Sequence, residues 1–215
     1  MFEFLRSYII FLALLSGIIG LISLHKLPGK KAKSLVVLIW FSILTEIIGY
    51  YFTYWTGLLN YYVYNCYMFI SFSAYILLLR SLLLKQNNKV SAILFLILFV
   101  FSFFLNVLYF KEDVNNSFIY SFAVGVLVVM ILSCLYLVEI FNSDKILNFK
   151  KSVFFWYILG ILLFHVPFLP FMLAIKWFLI KQDESIISLV LFLLNFLTHI
   201  CFITGFVWSE KKYNY

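Results

Sequence analysis

The segment 35–54, LVVLIWFSILTEIIGYYFTY, limits most strongly how this chain can fold. About 20 apolar residues, each rising 1.5 Å, cover the ~30 Å hydrocarbon core of a bilayer, so this segment predicts a membrane-spanning helix. It contains an acid, Glu46, and a carboxylate at membrane depth costs roughly 2.5–3.5 kcal/mol on insertion scales. One helical face collects the small and polar residues Ser42, Glu46, Gly49 and Thr53. We therefore expect this face to point into the protein and away from lipid.

The composition indicates that the whole chain, and not only this segment, belongs to a membrane protein. Of 215 residues, 65% are hydrophobic and 12% are charged, whereas a soluble domain has about 25% charged residues. No polar stretch is long enough for a separate water-soluble domain. The sequence therefore predicts an all-α integral membrane protein, one domain over residues 1–215 with no output domain of its own. The seven predicted helices are 7–24, 35–54, 60–84, 90–110, 118–141, 153–178 and 186–208.

The cations predict the orientation of these helices. The net charge of +7 comes from lysines that lie between the spans, where the positive-inside rule explains them, so no nucleic-acid partner is expected. One side has twelve cations: Lys26, Lys30, Lys31, Lys33, Arg80, Lys85, Lys89, Lys145, Lys150, Lys151, Lys211 and Lys212. The other has four: Arg6, Lys111, Lys176 and Lys181. We expect the N-terminus outside and the C-terminus in the cytoplasm, in a bacterial cytoplasmic (inner) membrane.

Five predicted helices bring polar side chains to the middle or outer half of the membrane. The candidate site residues are Glu46, Asn65, Asn106, His165, Asn195 and His199. Polar groups at this depth face a bundle interior or a wet cavity. The sequence therefore predicts a polar pocket that opens to the outside. Purely structural roles remain open, with Glu46 neutral and hydrogen-bonded to a neighbour and the asparagines joining helices.

The sixth helix adds a mechanical element. Pro167 and Pro170 lack a backbone N–H and clash with the carbonyl four residues earlier, so we expect a kink beside His165. Such a kink is either static or a ligand-gated hinge, and the sequence leaves both open. His165 and His199 could also bind a metal or haem, but no HxxxH or HExxH spacing is present. No metal or cofactor is therefore predicted.

Three resemblances bear on function. The alkaline-ceramidase and adiponectin-receptor superfamily has an HxxxH pair on its last helix, but Asn195 replaces the first histidine here. The lysoplasmalogenase family requires a Gly-Asp pair that FSILTEIIGYYF lacks. The chain more loosely resembles small bacterial heptahelical proteins, which have an acid in helix 2, a start of helix 3 rich in Tyr and Asn (here Asn60, Tyr64, Asn65 and Tyr67), and Asn in helix 7. Some of these lie beside or fused to sensor histidine kinases, which implies a sensor whose output is on another protein.

These features favour a membrane-embedded sensor or partner-regulating module. Its expected partners are membrane lipids, another membrane or signalling protein, and a small-molecule ligand. Two alternatives remain: an accessory subunit of a larger membrane complex, or a small proton-coupled transporter that uses Glu46 and a histidine. An intramembrane enzyme is the least supported reading, because no residue is identifiable as a nucleophile.

Overall fold

A computed structural model of the chain describes residues 2–110, 117–177 and 184–214. Within these ranges the regular secondary structure is helical and includes seven long helices: α1 Phe2–Ile22, α2 Lys30–Thr56, α3 Tyr61–Leu82, α4 Gln86–Leu105, α5 Ile119–Phe141, α6 Val153–Trp177 and α7 Glu184–Trp208. All seven are long and apolar enough to cross a membrane. The protein is therefore an all-α integral membrane protein with seven membrane-length helices, as predicted.

Three helices begin four or five residues earlier than the sequence predicted, and α1 is the first of them, with its start at Phe2. The α2 helix starts at Lys30, because a helical hydrogen bond from Lys33 N–H to Gly29 O (3.1 Å) already forms in the segment 25–34 between the first two predicted helices. Lys30, Lys31 and Lys33 thus occupy the first turns of α2. Likewise, α4 starts at Gln86, and after Leu105 it continues as a π-helical turn, Asn106–Phe110. The predicted external turns 111–117 and 181–185 lie largely outside the described residues.

The chain divides into two compact units. The first comprises Met1–Ile43 and Lys145–Tyr215, and the second comprises Leu44–Asp144. The boundary falls inside α2, so the first half of this helix belongs to one unit and the second half to the other. The prediction of a single domain over residues 1–215 stays a prediction.

In the first unit, α7 packs against both α1 and α6. Glycines permit these close approaches. A Cβ atom at Gly20 of α1 would lie 3.1 Å from the Phe206 ring, and one at Gly160 of α6 would lie 2.8 Å from the Phe202 ring. The Phe202 ring also stacks on Tyr157, with centroids 4.6 Å apart. Gly160 also approaches the Thr198 carbonyl, while Trp156, earlier in α6, approaches Gly205, later in α7, so α6 and α7 run antiparallel.

In the second unit, α3, α4 and α5 pack against one another. Phe72 of α3 lies at the centre of their core and is 1% exposed. Its ring meets those of Phe99 and Phe122 edge-on, each with centroids 5.7 Å apart. Gly125 makes room for it, because a Cβ atom there would lie 2.7 Å from the Phe72 ring.

The residues after α7 are bound to the first unit by hydrogen bonds. The fully buried Asn214 accepts one from the Val153 N–H (2.8 Å) and donates one to the Lys26 carbonyl (3.1 Å). The Lys26 ammonium in turn donates to the Val207 carbonyl (2.8 Å), satisfying the C-terminal end of α7. These contacts bring the region after α1, the start of α6 and the end of α7 to the same end of the unit.

Gly205 is the position where we expect the helix packing to be most sensitive. A Cβ atom there would lie 2.8 Å from the Cβ atom of Trp156, which cannot rotate away. Gly205→Ala should therefore lower the free energy of unfolding by about 1–3 kcal/mol, as overpacked substitutions do. Denaturant unfolding of the purified protein in detergent micelles measures this change. Gly29→Ala is the matched control, since nothing lies within 4 Å of a Cβ atom at Gly29; equal effects of the two substitutions would contradict this account of the packing.

Candidate functional site

A buried polar pair joins α1 to α7 within the first unit. The Nδ1 atom of His199 lies 2.9 Å from the Oγ atom of Ser16. His199 is 5% exposed and Ser16 is fully buried. His199 is nine residues from the end of α7, or about 14 Å along its axis. A polar contact between two helices therefore lies deep within their membrane-spanning segments.

The hydrogen bonds of Ser16 determine which nitrogen of a neutral His199 holds the proton. A serine hydroxyl has one hydrogen, and Ser16 donates it to the Ala13 carbonyl at 2.8 Å. The Ser16 oxygen must then accept a hydrogen bond from Nδ1–H of His199. Neutral His199 consequently has a lone pair on Nε2. Among the described residues, this Nε2 atom has no hydrogen-bond partner.

Asn195 lies one turn before His199 on the same face of α7. Its amide nitrogen donates to the Leu191 carbonyl at 2.8 Å, while its Oδ1 atom has no donor within the described part of the chain. The side chain is half-buried. Adjacent turns of α7 thus present two acceptor atoms, Asn195 Oδ1 and His199 Nε2, that no group of the described residues satisfies. A molecule with O–H or N–H groups is the chemical complement of this pair.

His165 lies on α6, where its Nδ1 atom is 2.9 Å from the Ile161 carbonyl. A carbonyl only accepts, so Nδ1 of His165 is protonated too. The contact of Gly160 with the Thr198 carbonyl in the antiparallel α6–α7 pair puts His165 at about the level of Asn195. The α6 helix continues through Pro167 and Pro170. The hinge at these prolines stays a prediction.

Glu46 belongs to the second unit and contacts α3. The Tyr64 hydroxyl donates to Glu46 Oε2 at 3.2 Å, so a polar group of α3 lies within reach of this side chain. Gly49 allows this approach, because a Cβ atom there would lie 2.8 Å from the Tyr64 hydroxyl oxygen. The expectation that the whole Ser42-to-Thr53 face points inward is wrong at its far end, where Thr53 is exposed.

Asn65 and Asn106 meet the start of α5. Asn65 Oδ1 accepts a hydrogen bond from the Phe118 N–H (3.1 Å), so a residue of α3 satisfies the donor just before α5 begins. Asn106 donates to the Ser121 hydroxyl at 3.0 Å. Both asparagines are buried, with 6% and 1% exposed. The structure thus brings these two predicted site residues to one turn of α5, in contacts that join helices.

Glu139 is a polar residue that the sequence analysis missed. This α5 side chain is 5% exposed and accepts hydrogen bonds from the backbone N–H groups of Leu84 and Lys85 (the latter at 3.2 Å). Asn88 donates a third, at 2.6 Å. The carboxylate therefore holds the connection between α3 and α4. The available signal was an acid inside an apolar run, the same signal that singled out Glu46.

The six predicted site residues thus fall into two groups. His165, Asn195 and His199 lie in the first unit, while Glu46, Asn65 and Asn106 lie in the second. A pocket shared by all six stays a prediction. Within the described residues, no group of three or more His, Cys, Asp or Glu side chains is placed to hold a metal ion. Ser16, which contacts His199 of the first group, was not among the predicted site residues.

Comparisons of this chain with protein-family models, with curated proteins and with solved structures give no match. The function therefore has to be inferred from the site itself.

Outside the spans, Glu210 forms an ion pair after the end of α7. Lys151 donates a hydrogen bond to the Glu210 carboxylate at 2.8 Å, and Lys212 lies 3.4 Å from its other oxygen. The Lys151 hydrogen bond is the main cause that lowers the pKa of Glu210 below its usual 4.5. Because the folded pKa is the lower one, this contact stabilises the fold above pH 4.5. The stabilisation is lost as the pH falls through the folded value.

We expect a carboxyl NMR titration of Glu210 to have its midpoint below 4.5. Lys151→Gln should move that midpoint upward, because it removes the hydrogen bond that favours the charged form. Lys150→Gln is the matched control, since it removes a neighbouring charge that makes no ion pair with Glu210. A midpoint that responds equally to both substitutions would show that only the general positive field acts on this group.

The role of Glu139 predicts a local effect on the connection between α3 and α4. Glu139→Ala removes the acceptor of the part-buried Leu84 and Lys85 N–H groups and of the Asn88 amide, and each lost hydrogen bond is worth roughly 1 kcal/mol. Amide hydrogen exchange at these two residues should become faster, and the protein should lose about 2–3 kcal/mol of stability. Gln86→Ala, an exposed substitution beside the same connection, should leave both quantities near wild type. Unchanged exchange in Glu139→Ala would refute this role.

Proposed function

We propose that this protein is a membrane-embedded sensor or partner-regulating module that binds a small hydrogen-bond donor at α7. The observation that supports this most directly is the commitment of His199 Nδ1 to Ser16, which leaves the Nε2 lone pair available. Asn195 Oδ1 lies one turn away as a second acceptor. An alcohol, amide or amine can donate to both atoms. Binding would give hydrogen bonds to two acceptors that no group of the described residues satisfies.

The same site suggests how binding changes the conformation. The ligand-binding ring is itself a contact between α1 and α7, and it meets Phe202 edge-on with centroids 5.7 Å apart. Phe202 in turn lies against Gly160 and Tyr157 of α6. A ligand that draws His199 toward itself therefore alters the contacts of α7 with both neighbours. Ligand binding shifts an equilibrium only when the two conformations bind with different affinities, and this linkage supplies such a difference.

The proposed membrane location and orientation are based on the sequence. We place the chain in a bacterial cytoplasmic membrane, with the lysine-rich ends in the cytoplasm as the positive-inside rule predicts. The proposed output passes to another membrane or signalling protein.

An accessory-subunit role is the second candidate, and the end of α2 favours it. Tyr54 is 87% exposed and Trp55 64% exposed, and the Trp55 ring stacks on Tyr51 with centroids 5.5 Å apart. Exposed aromatic residues are common in interfaces but also anchor helices at the membrane surface. The two roles differ in one measurable respect. A sensor responds to its ligand as an isolated protein, whereas an accessory subunit acts only within its complex.

The sensor proposal is tested with phenol and anisole, two molecules of similar shape of which only phenol has an O–H donor. The purified full-length protein in lipid nanodiscs, with ¹⁵N-labelled histidine, should show His199 protonated at Nδ1. Phenol should shift the Nε2 resonance and change the distance between spin labels on α6 and α7, while anisole should do neither. Ser16→Ala should weaken the phenol response roughly fivefold, since one hydrogen bond is worth about 1 kcal/mol.

Ser34→Ala is the matched control, because the exposed Ser34 hydroxyl donates only to the Lys31 carbonyl. An absent phenol response, or equal responses to phenol and anisole, would refute the proposed site. Proton movement across proteoliposomes driven by a solute gradient would instead favour the transporter.

A further inference from the structure

The residues before α6 and after α7 form one surface of the first unit. The Glu210 N–H donates to the Lys151 carbonyl at 3.0 Å, and Asn214 accepts from the first N–H of α6, that of Val153. These bonds hold Lys151, the last residue of the segment 146–151, and Val153 beside residues 209–214. Four lysines belong to the two segments: Lys150, Lys151, Lys211 and Lys212. We call this surface, together with Ile146 and Leu147, the basic rim.

Two of these lysines are available for an external anion. Glu210 pairs with Lys151 at 2.8 Å and with Lys212 at 3.4 Å. Lys150 and Lys211 are both exposed, and neither has an acidic partner among the described side chains. The Lys150 ammonium lies 5.8 Å from the centre of the Phe149 ring, and its carbonyl accepts a hydrogen bond from the Trp156 indole (2.8 Å). The backbone that carries this charge is therefore fixed.

Apolar side chains lie exposed beside the lysines. Leu147 is 85% exposed and Ile146 43% exposed. The membrane-spanning part of α6 begins at Val153, and that of α7 ends at Trp208. The basic rim thus lies where two spans leave the hydrocarbon core, at the level of lipid headgroups. At that level Leu147 can enter the acyl boundary while the ammonium groups stay among phosphates.

We propose that the basic rim binds the headgroups of anionic phospholipids. Lys150 and Lys211 contact the lipid phosphate, and Ile146 and Leu147 contact the upper acyl chains. The basic rim has both exposed lysines and exposed apolar side chains. A molecule that is anionic at one end and apolar at the other can contact both. A lysine near an anionic membrane surface contributes ~1 kcal/mol of binding free energy. Lys150 and Lys211 should therefore make the binding of an anionic lipid more favourable than that of a zwitterionic one. This inference is independent of the ligand proposed for α7.

The test uses the full-length protein in phosphatidylcholine nanodiscs with a trace of dansyl-labelled lipid. Energy transfer from the tryptophans should be stronger to labelled phosphatidylglycerol than to labelled phosphatidylcholine with the same acyl chains. The double variant Lys150→Gln/Lys211→Gln should weaken the preference for phosphatidylglycerol by about fivefold per lysine, roughly 30-fold in all. Added salt should reduce the wild-type preference, because these charges are exposed.

The matched control is Lys30→Gln/Lys33→Gln, which removes two exposed lysines of the same unit from the start of α2. Retention of the preference in this control, together with its loss in the first pair, would support the basic rim as the site. Equal losses in both pairs would overturn it in favour of a general positive surface. A wild-type protein without any preference would also overturn it. So would displacement of the labelled lipid by free inorganic phosphate at low concentration, since that would mean recognition of phosphate alone.

Discussion

Inside a bilayer no water is available to polar groups, so each one needs a partner within the protein. This requirement explains where most polar side chains of the seven helices are directed. Ser71, Ser73, Thr204, His165 and Asn195 each donate to a carbonyl three or four residues earlier in their own helix. Such bonds let a polar residue occupy a membrane helix without any contact to a neighbour. A polar residue in a membrane-spanning helix is thus weak evidence for a functional site unless it has a polar atom that its own helix does not satisfy.

Ser16 differs from these residues because its oxygen has two partners. It donates to its own helix and accepts from His199, so one short side chain satisfies a local group and orients a distant ring. A serine that only donated locally would leave the imidazole free to adopt either tautomer. The chemical character of α7 at this depth, an acceptor rather than a donor, therefore depends on a residue of α1.

The sequence was informative about helices and less so about contacts. Runs of about twenty apolar residues indicate membrane-spanning helices, so the seven helices and the all-α class were predictable. The start of α2 was not, because Lys30, Lys31 and Lys33 are polar yet good helix formers and extend the helix beyond its apolar part. A contact of Glu46 with another helix followed from its helical face, but the choice of α3 did not. The capping of α5 by Asn65 did not, because it joins residues 53 positions apart.

Ser16 and Glu139 were missed for a related reason. Serine is common in membrane helices as a small residue that bonds to its own backbone, and nothing local distinguishes one that also holds a histidine 183 residues away. Glu139 stands two residues before the end of α5, where an acid normally reaches water. Only the position of the connection between α3 and α4 shows that backbone amides surround it.

The division of the chain into two units has a consequence for biosynthesis. The second unit is one continuous stretch, Leu44–Asp144, so all of its helices have been made before α6 exists. The first unit combines α1 and the first half of α2 with helices synthesised more than a hundred residues later. While the ribosome is still translating, Ser16 of α1 can bond to Ala13 but not to His199, which has not yet been made. The contact between α1 and α7 is therefore among the last to form.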